Sequence, residues 1–139
     1  MNILFFLTPK AEVVCIHDVD NLKTAMDMLT KDRYHSLPIL NDKGYYLGTI
    51  TEGDVLRVVR DKIDAMTADA LEKIQVTEVP RFRDNAAVRI DADMEDLYGK
   101  IEQQSFVPVL DDQKFFIGIV TRKDVFRYLR KKVSAIPKG

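Results

Sequence analysis

A chain of 139 residues with 46% apolar and 31% charged side chains can bury a core, and 21 Lys and Arg against 22 Asp and Glu leave it about neutral, which argues against a binder drawn to polyanions by its overall field. One cysteine, Cys15, excludes an internal disulfide, and two histidines, His17 and His35, leave no CxxC or HExxH spacing for a metal. The opening apolar run, residues 3–7, lacks a basic leader and is too short for a signal peptide or a membrane span, so a cytoplasmic protein without a membrane partner is expected.

Residues 13–16 read as the first strand. Leu22, Ala25, Met26 and Leu29 then fall at i, i+3, i+4 and i+7, one face of a helix, with Asn21 placed to cap it. A short strand with a proline follows at 37–40, then the turn sequence Asn-Asp-Lys-Gly, then an apolar strand with an internal glycine, a spacing that suits a hairpin. Proline lacks a ladder donor, which predicts a position at the strand's start or at a sheet edge. Val55, Leu56, Val58, Val59 and Ile63 mark a second helix, and residues 61–73 continue charged but helix-compatible. Residues 74–79 are the next expected strand, opening the second copy. Met94, Leu97, Tyr98 and Ile101 repeat the helical template behind a cap at Asp93, followed by a proline strand, Phe106–Leu110, the turn Asp-Asp-Gln-Lys and a second glycine strand. Val125, Phe126, Leu129 and Val133 mark the last helix, and the basic tail 130–139 is expected to fray.

The chain is therefore a duplication. Pro38, Gly48, Thr51 and Asp54 recur seventy residues later as Pro108, Gly118, Thr121 and Asp124, and a repeat that cannot close its core alone dictates the architecture. Each copy reads strand, helix, strand, strand, helix, an α/β (α+β) class, with domains expected at 1–66 and 67–139. No Gly/Ser-rich linker separates them, so they are expected to pack as one body.

The chemistry is concentrated where a strand enters a helix as Gly-x-x-Thr-x-x-Asp. The glycine permits close approach, the threonine stands at unpaired first-turn N–H groups that favour an anion, and the aspartate can accept from ribose hydroxyls. Phosphate and ribose together point to a nucleotide. The same spacing is also a capping-box variant, which needs no ligand. The two copies differ in charge: Arg122 and Lys123 place cations beside the phosphate position, where Glu52 and Gly53 offer one anion. Occupancy is expected at the Asp124 motif, with the Asp54 motif weak, empty or structural, unless Arg122 and Lys123 are simply solvated charges.

The strings Leu-Pro-Ile-Leu with Gly-Thr-Ile-Thr-Glu-Gly-Asp, and Val-Pro-Val-Leu with Gly-Ile-Val-Thr-Arg-Lys-Asp, resemble the core motifs of a CBS-domain pair, or Bateman module. The resemblance covers nearly the whole chain. It implies tandem domains packed with pseudo-two-fold symmetry and an adenosyl ligand in their cleft. One implied site combines Ile119, Thr121, Arg122, Lys123 and Asp124 with Lys10, Ala11, Tyr34 and His35. Tyr34 would then stack on the base unless it fills the loop core, and His35 would touch the adenine unless it is an ordinary loop residue. The weaker mirror site combines Thr49, Thr51, Glu52 and Asp54 with Val79, Pro80, Gln104 and Ser105.

No nucleophile with its base, metal cluster or phosphate loop appears at a recognisable spacing, so no catalytic residue is assigned and a non-enzyme is expected. The basic run Arg127, Arg130, Lys131 and Lys132 is too short to argue for nucleic acid. With almost all of the chain in the two repeats, the arrangement is similar to the free-standing CBS pairs of Gram-positive bacteria, the DarB or CbpB group, several of which bind cyclic di-AMP. That likeness implies a sensor of cyclic di-AMP first, or of AMP, ADP or ATP, acting on a partner protein in trans; a ligand-free dimerisation module is the alternative. The resemblance also implies a homodimer formed through the helices. No obligatory cofactor or metal is expected.

Overall fold

The computed structural model describes residues 2–137. Its strands and α-helices run β1 (Thr8–Pro9), β2 (Ile16–His17), α1 (Leu22–Lys31), β3 (Ser36–Leu40), β4 (Tyr46–Thr51), α2 (Glu52–Asp61), α3 (Ala68–Glu72), β5 (Val88–Arg89), α4 (Met94–Ile101), β6 (Phe106–Leu110), β7 (Phe116–Thr121) and α5 (Arg122–Ser134). The mixed α/β class expected from the repeat is the one observed. Two compact units form: Val14–Asp84, and the stretch through Val13 together with the stretch from Asn85 onward. The opening residues thus fold with the second copy.

In the unit Val14–Asp84 the sheet order is β2-β3-β4. Asn21 caps α1 by accepting the Thr24 N–H at 2.9 Å, and the stripe Leu22, Ala25 and Leu29 is buried. β3 and β4 pair antiparallel with Leu37 opposite Ile50, Pro38 opposite Thr49 and Ile39 opposite Gly48. The hairpin is pinned by Asn41, whose Oδ1 accepts the N–H groups of Lys43 and Tyr45 at 3.0 and 2.9 Å. Ile16, Leu37, Ile39, Ile50 and Val55 fill the core with Val76 and Val79.

In the other unit the order is β1-β7-β6-β5, with β1 antiparallel on β7 and β5 parallel to β6. Asp93 caps α4, and Asp111 repeats the turn of Asn41 by accepting from Gln113 and Phe115, both at 2.9 Å. The core joins Val88, Leu97, Val107, Val109, Val120 and Val125 to Ile3 and Phe6 of the opening 3-10 turn Ile3–Phe6.

Several element expectations are corrected. The first strand is Ile16–His17 rather than 13–16, and 74–79 is not a strand: it holds the 3-10 turn Val76–Glu78, while β5 lies at Val88–Arg89. The proline strands are central, not edge, yet the parallel ladder starts one residue after each proline, at Ile39 and Val109, so neither proline interrupts it. The basic tail is helical through Ser134, because α5 continues with Ala135 as its C-cap. The last two residues of that tail lie outside the described residues.

Candidate functional site

Both repeated motifs stand where a strand turns into a helix. Thr51 and Thr121 are N-caps with extended backbone, and each hydroxyl accepts the N–H of its aspartate at 3.1 Å. That shared geometry satisfies one first-turn donor in each copy.

Beyond the cap the two copies differ. Asp54 is 1% exposed and its carboxylate is fully engaged: Oδ2 takes the Thr51 N–H at 3.0 Å, completing a capping box, and Oδ1 takes the Phe82 N–H at 3.1 Å and the Arg57 guanidinium. A buried carboxylate is tolerated only with such partners. Asp124 is half-buried, and among the described residues its carboxylate takes no hydrogen bond or ion pair. It lines a cavity of about 310 Å³ with Phe5, Phe6, Leu7, Arg127, Tyr128 and Lys131. Arg127 and Lys131 stand three and seven residues after Asp124, hence on its helical face. In the first copy the same positions hold Arg57, bound to Asp54, and Asp61.

The opening segment reaches this unit through β1. Thr8 lies opposite Ile119 and Pro9 opposite Gly118, and a Cβ on Gly118 would stand 2.1 Å from the Thr8 carbonyl oxygen. Glycine is what lets β1 lie there. Lys10 and Ala11 follow in the exposed 3-10 turn Lys10–Glu12. Lys10, Ala11, Ile119, Thr121, Arg122, Lys123 and Asp124 therefore belong to one unit, as do Gln104 and Ser105, whereas Tyr34, His35, Thr49, Thr51, Glu52, Asp54, Val79 and Pro80 belong to the other.

Individual side chains have specific neighbours. The Arg122 guanidinium points back to α4, its Nε donating to the Ile101 carbonyl at 2.9 Å and its Nη2 to the Glu102 carbonyl at 3.3 Å, while Lys123 is exposed. Gln104 ties the chain before β5, its amide bonding Ala86 N, Ala86 O and the Phe106 carbonyl at 2.8, 3.0 and 3.1 Å. The exposed Ser105 accepts the Arg122 N–H through its carbonyl at 2.9 Å. His35 meets Glu52, Nδ1 to Oε1 at 2.5 Å, and lines with Tyr34 a largely apolar groove of about 570 Å³ over Met26, Leu29, Val55 and Leu56.

Sequence reading missed Arg57, Arg81, Phe82 and Asp84 on the first motif, and Phe5, Phe6, Arg127 and Lys131 beside the second. The i, i+3, i+7 spacing of Asp124, Arg127 and Lys131 was the available signal for the latter pair. Asp84 is also shifted. Burial would raise its pKa, but hydrogen bonds from Arg81 and the Thr49 N–H, together with the charge of Arg81, outweigh that and hold it below the usual carboxylate value. Arg81 is raised in turn, chiefly by the same bond. Among the described residues no helix is long and apolar enough to cross a membrane, and no group of three or more His, Cys, Asp or Glu is placed to hold a metal.

The CBS domain model matches residues 7–61 and 75–131, and the chain belongs to the CBS domain family. The chain is 27% identical over 140 residues to cyclic di-AMP receptor B of Bacillus subtilis (strain 168), covering 96% of this chain and 89% of the relative. A hypothetical conserved protein of Geobacillus kaustophilus superposes with a TM-score of 0.85 at 28% identity, over 95% of this chain and 98% of the other. CbpB of Listeria monocytogenes in complex with c-di-AMP shares the fold, with a TM-score of 0.83 at 22% identity over 96% and 98% of the two chains.

Proposed function

We propose that this protein is a non-catalytic sensor that binds an adenine nucleotide at the second copy's Thr-x-x-Asp motif and regulates a partner protein in trans. The observation that carries the reading is the open Asp124 carboxylate beside a cavity that also holds Arg127 and Lys131, with Lys123 next in sequence. An acceptor-only group for a ribose hydroxyl and cations for phosphate are the complements of a nucleotide. The relatives named for cyclic di-AMP favour that ligand. A second reading, AMP, ADP or ATP, is favoured by the same open carboxylate: a linear nucleotide offers it two vicinal hydroxyls, whereas the 3′,5′-linked cyclic dinucleotide offers one.

Titration of the purified protein with cyclic di-AMP, AMP, ADP, ATP and S-adenosylmethionine tests this. Saturable binding of one of them is expected, weakened at least tenfold in Asp124→Asn. Unchanged affinity in that variant contradicts the assignment. The partner is sought by capture from lysate with and without the nucleotide that binds, and the sensor reading requires retention to differ between the two. The exposed side chains Leu56, Phe126, Leu129 and Val133 further support a homodimer formed through α2 and α5.

A further inference from the structure

In the first copy, residues 81–84 lie on the very groups that a nucleotide would meet. The Phe82 N–H donates to Asp54 Oδ1 at 3.1 Å, on the carboxylate that stands where Asp124 stands in the second copy. The Arg57 guanidinium binds the same oxygen and stands 5.9 Å from the centre of the Phe82 ring. The Asp84 carboxylate takes the Thr49 N–H at 2.9 Å and two hydrogen bonds from Arg81 at 2.7 and 3.3 Å. It sits over Gly48 so closely that a Cβ there would be 2.5 Å from its Oδ1. A donor on the aspartate, an anion over the glycine and a flat ring against the cation are thus supplied by the chain itself.

The segment is held in place before it reaches the motif. The Leu22 N–H donates to the Ile74 carbonyl at 2.7 Å and the Val76 N–H to the Asp20 carbonyl at 2.9 Å, and Val76 and Val79 are buried in the same core. Their burial anchors the stretch that precedes the strap, which is thus delivered to the motif by the fold. The second copy has no counterpart on Asp124 or Arg127 among the described residues.

We propose that residues 81–84 form a strap that closes the first copy's Thr51 and Asp54 motif as an internal stand-in for a ribonucleotide. The chain then holds one nucleotide, in its second copy, and a second nucleotide enters only when the strap is displaced. This rests on reading the second copy as a nucleotide site.

Calorimetric titration of the full chain with cyclic di-AMP and, separately, ATP distinguishes the two ideas. The expected stoichiometry for the ligand that binds is one for the wild type, none for Asp124→Ala, two for Arg81→Ala with Asp84→Ala, and one when all three changes are combined. Because the Thr49 N–H contact with Asp84 is lost when Asp84 is removed, a thermal melt accompanies each variant. Phe82→Pro, which removes both the exposed ring and the main-chain N–H that Asp54 accepts, provides a second opening variant. Two equivalents in the wild type, or one in both opened variants, overturns the strap and leaves the nucleotide reading of the second copy standing. No binding by the wild type with one equivalent in an opened chain keeps the strap and removes that reading. No binding by any chain removes both.

Discussion

Arg122 and Asp124 stand two positions apart at the start of α5, yet their side chains have different neighbours. Arg122 donates to the Ile101 and Glu102 carbonyls at the end of α4, groups that no intrahelical N–H can reach. Arg122→Ala is therefore expected to cost on the order of 1 kcal/mol in chemical denaturation. Lys123→Ala should stay within about 0.5 kcal/mol of the wild type; an equal cost for both would show that the α4 contact contributes nothing. Lys123 is thus the cleaner probe of phosphate binding. The two glycines make a similar contrast. A Cβ on Gly118 meets backbone, the Thr8 carbonyl oxygen at 2.1 Å, whereas one on Gly48 meets the end of the Asp84 side chain, which can swing away. Gly118→Ala should release the opening segment to proteolysis while Gly48→Ala leaves it protected, and equal protection in both would contradict the role given to β1.

At the scale of elements, the strap has a pH signature. The folded pKa of Asp84 is depressed, so its contribution is fully present above the unfolded value of about 3.9 and is lost as pH falls through the lower folded value. Arg81 stays charged throughout, with Asp54 and Tyr46 also acting on it. The Thr49 amide resonance should titrate below the ordinary carboxylate range, and in Asp84→Asn that step should vanish; a midpoint at the ordinary value would contradict the ion pair. Most elements were legible because local signals and long-range structure agree. Asn21 and Asp93 cap the helices their spacing marks, and Thr51 and Thr121 cap the helices after the glycine strands. The opening strand of copy two was not legible, because three apolar residues within six, Ile74, Val76 and Val79, do not reveal whether the segment pairs or merely packs. Val76 and Val79 are buried, but in a turn on the first copy's core. Carrying the 72-residue helix offset from Ile16 lands on Val88, where β5 begins. The strap was hidden for a related reason: Asp84 meets Thr49 across 35 residues, a pairing with no local period.

For the molecule as a whole, the apolar side chains left exposed on α2 and α5 bear on self-association. Phe126 is 64% and Leu129 45% exposed, so on the homodimer proposed above glutamate at both positions should spare the fold while shifting a wild-type dimer to monomer in sedimentation; a wild-type monomer would contradict that proposal, and an unchanged dimer would place the interface elsewhere. The central claim is that the second copy's motif binds an adenine nucleotide. Its most direct test is a thermal melt of the full chain with cyclic di-AMP, AMP, ADP or ATP, repeated on Asp124→Asn. A nucleotide at about 100 times its Kd adds roughly 2.7 kcal/mol, a rise in Tm on the order of 5–10 °C for a chain of this size. We expect that rise with one nucleotide, cyclic di-AMP first, and its loss in the variant; no rise with any of them, or an undiminished rise in Asp124→Asn, would contradict the claim.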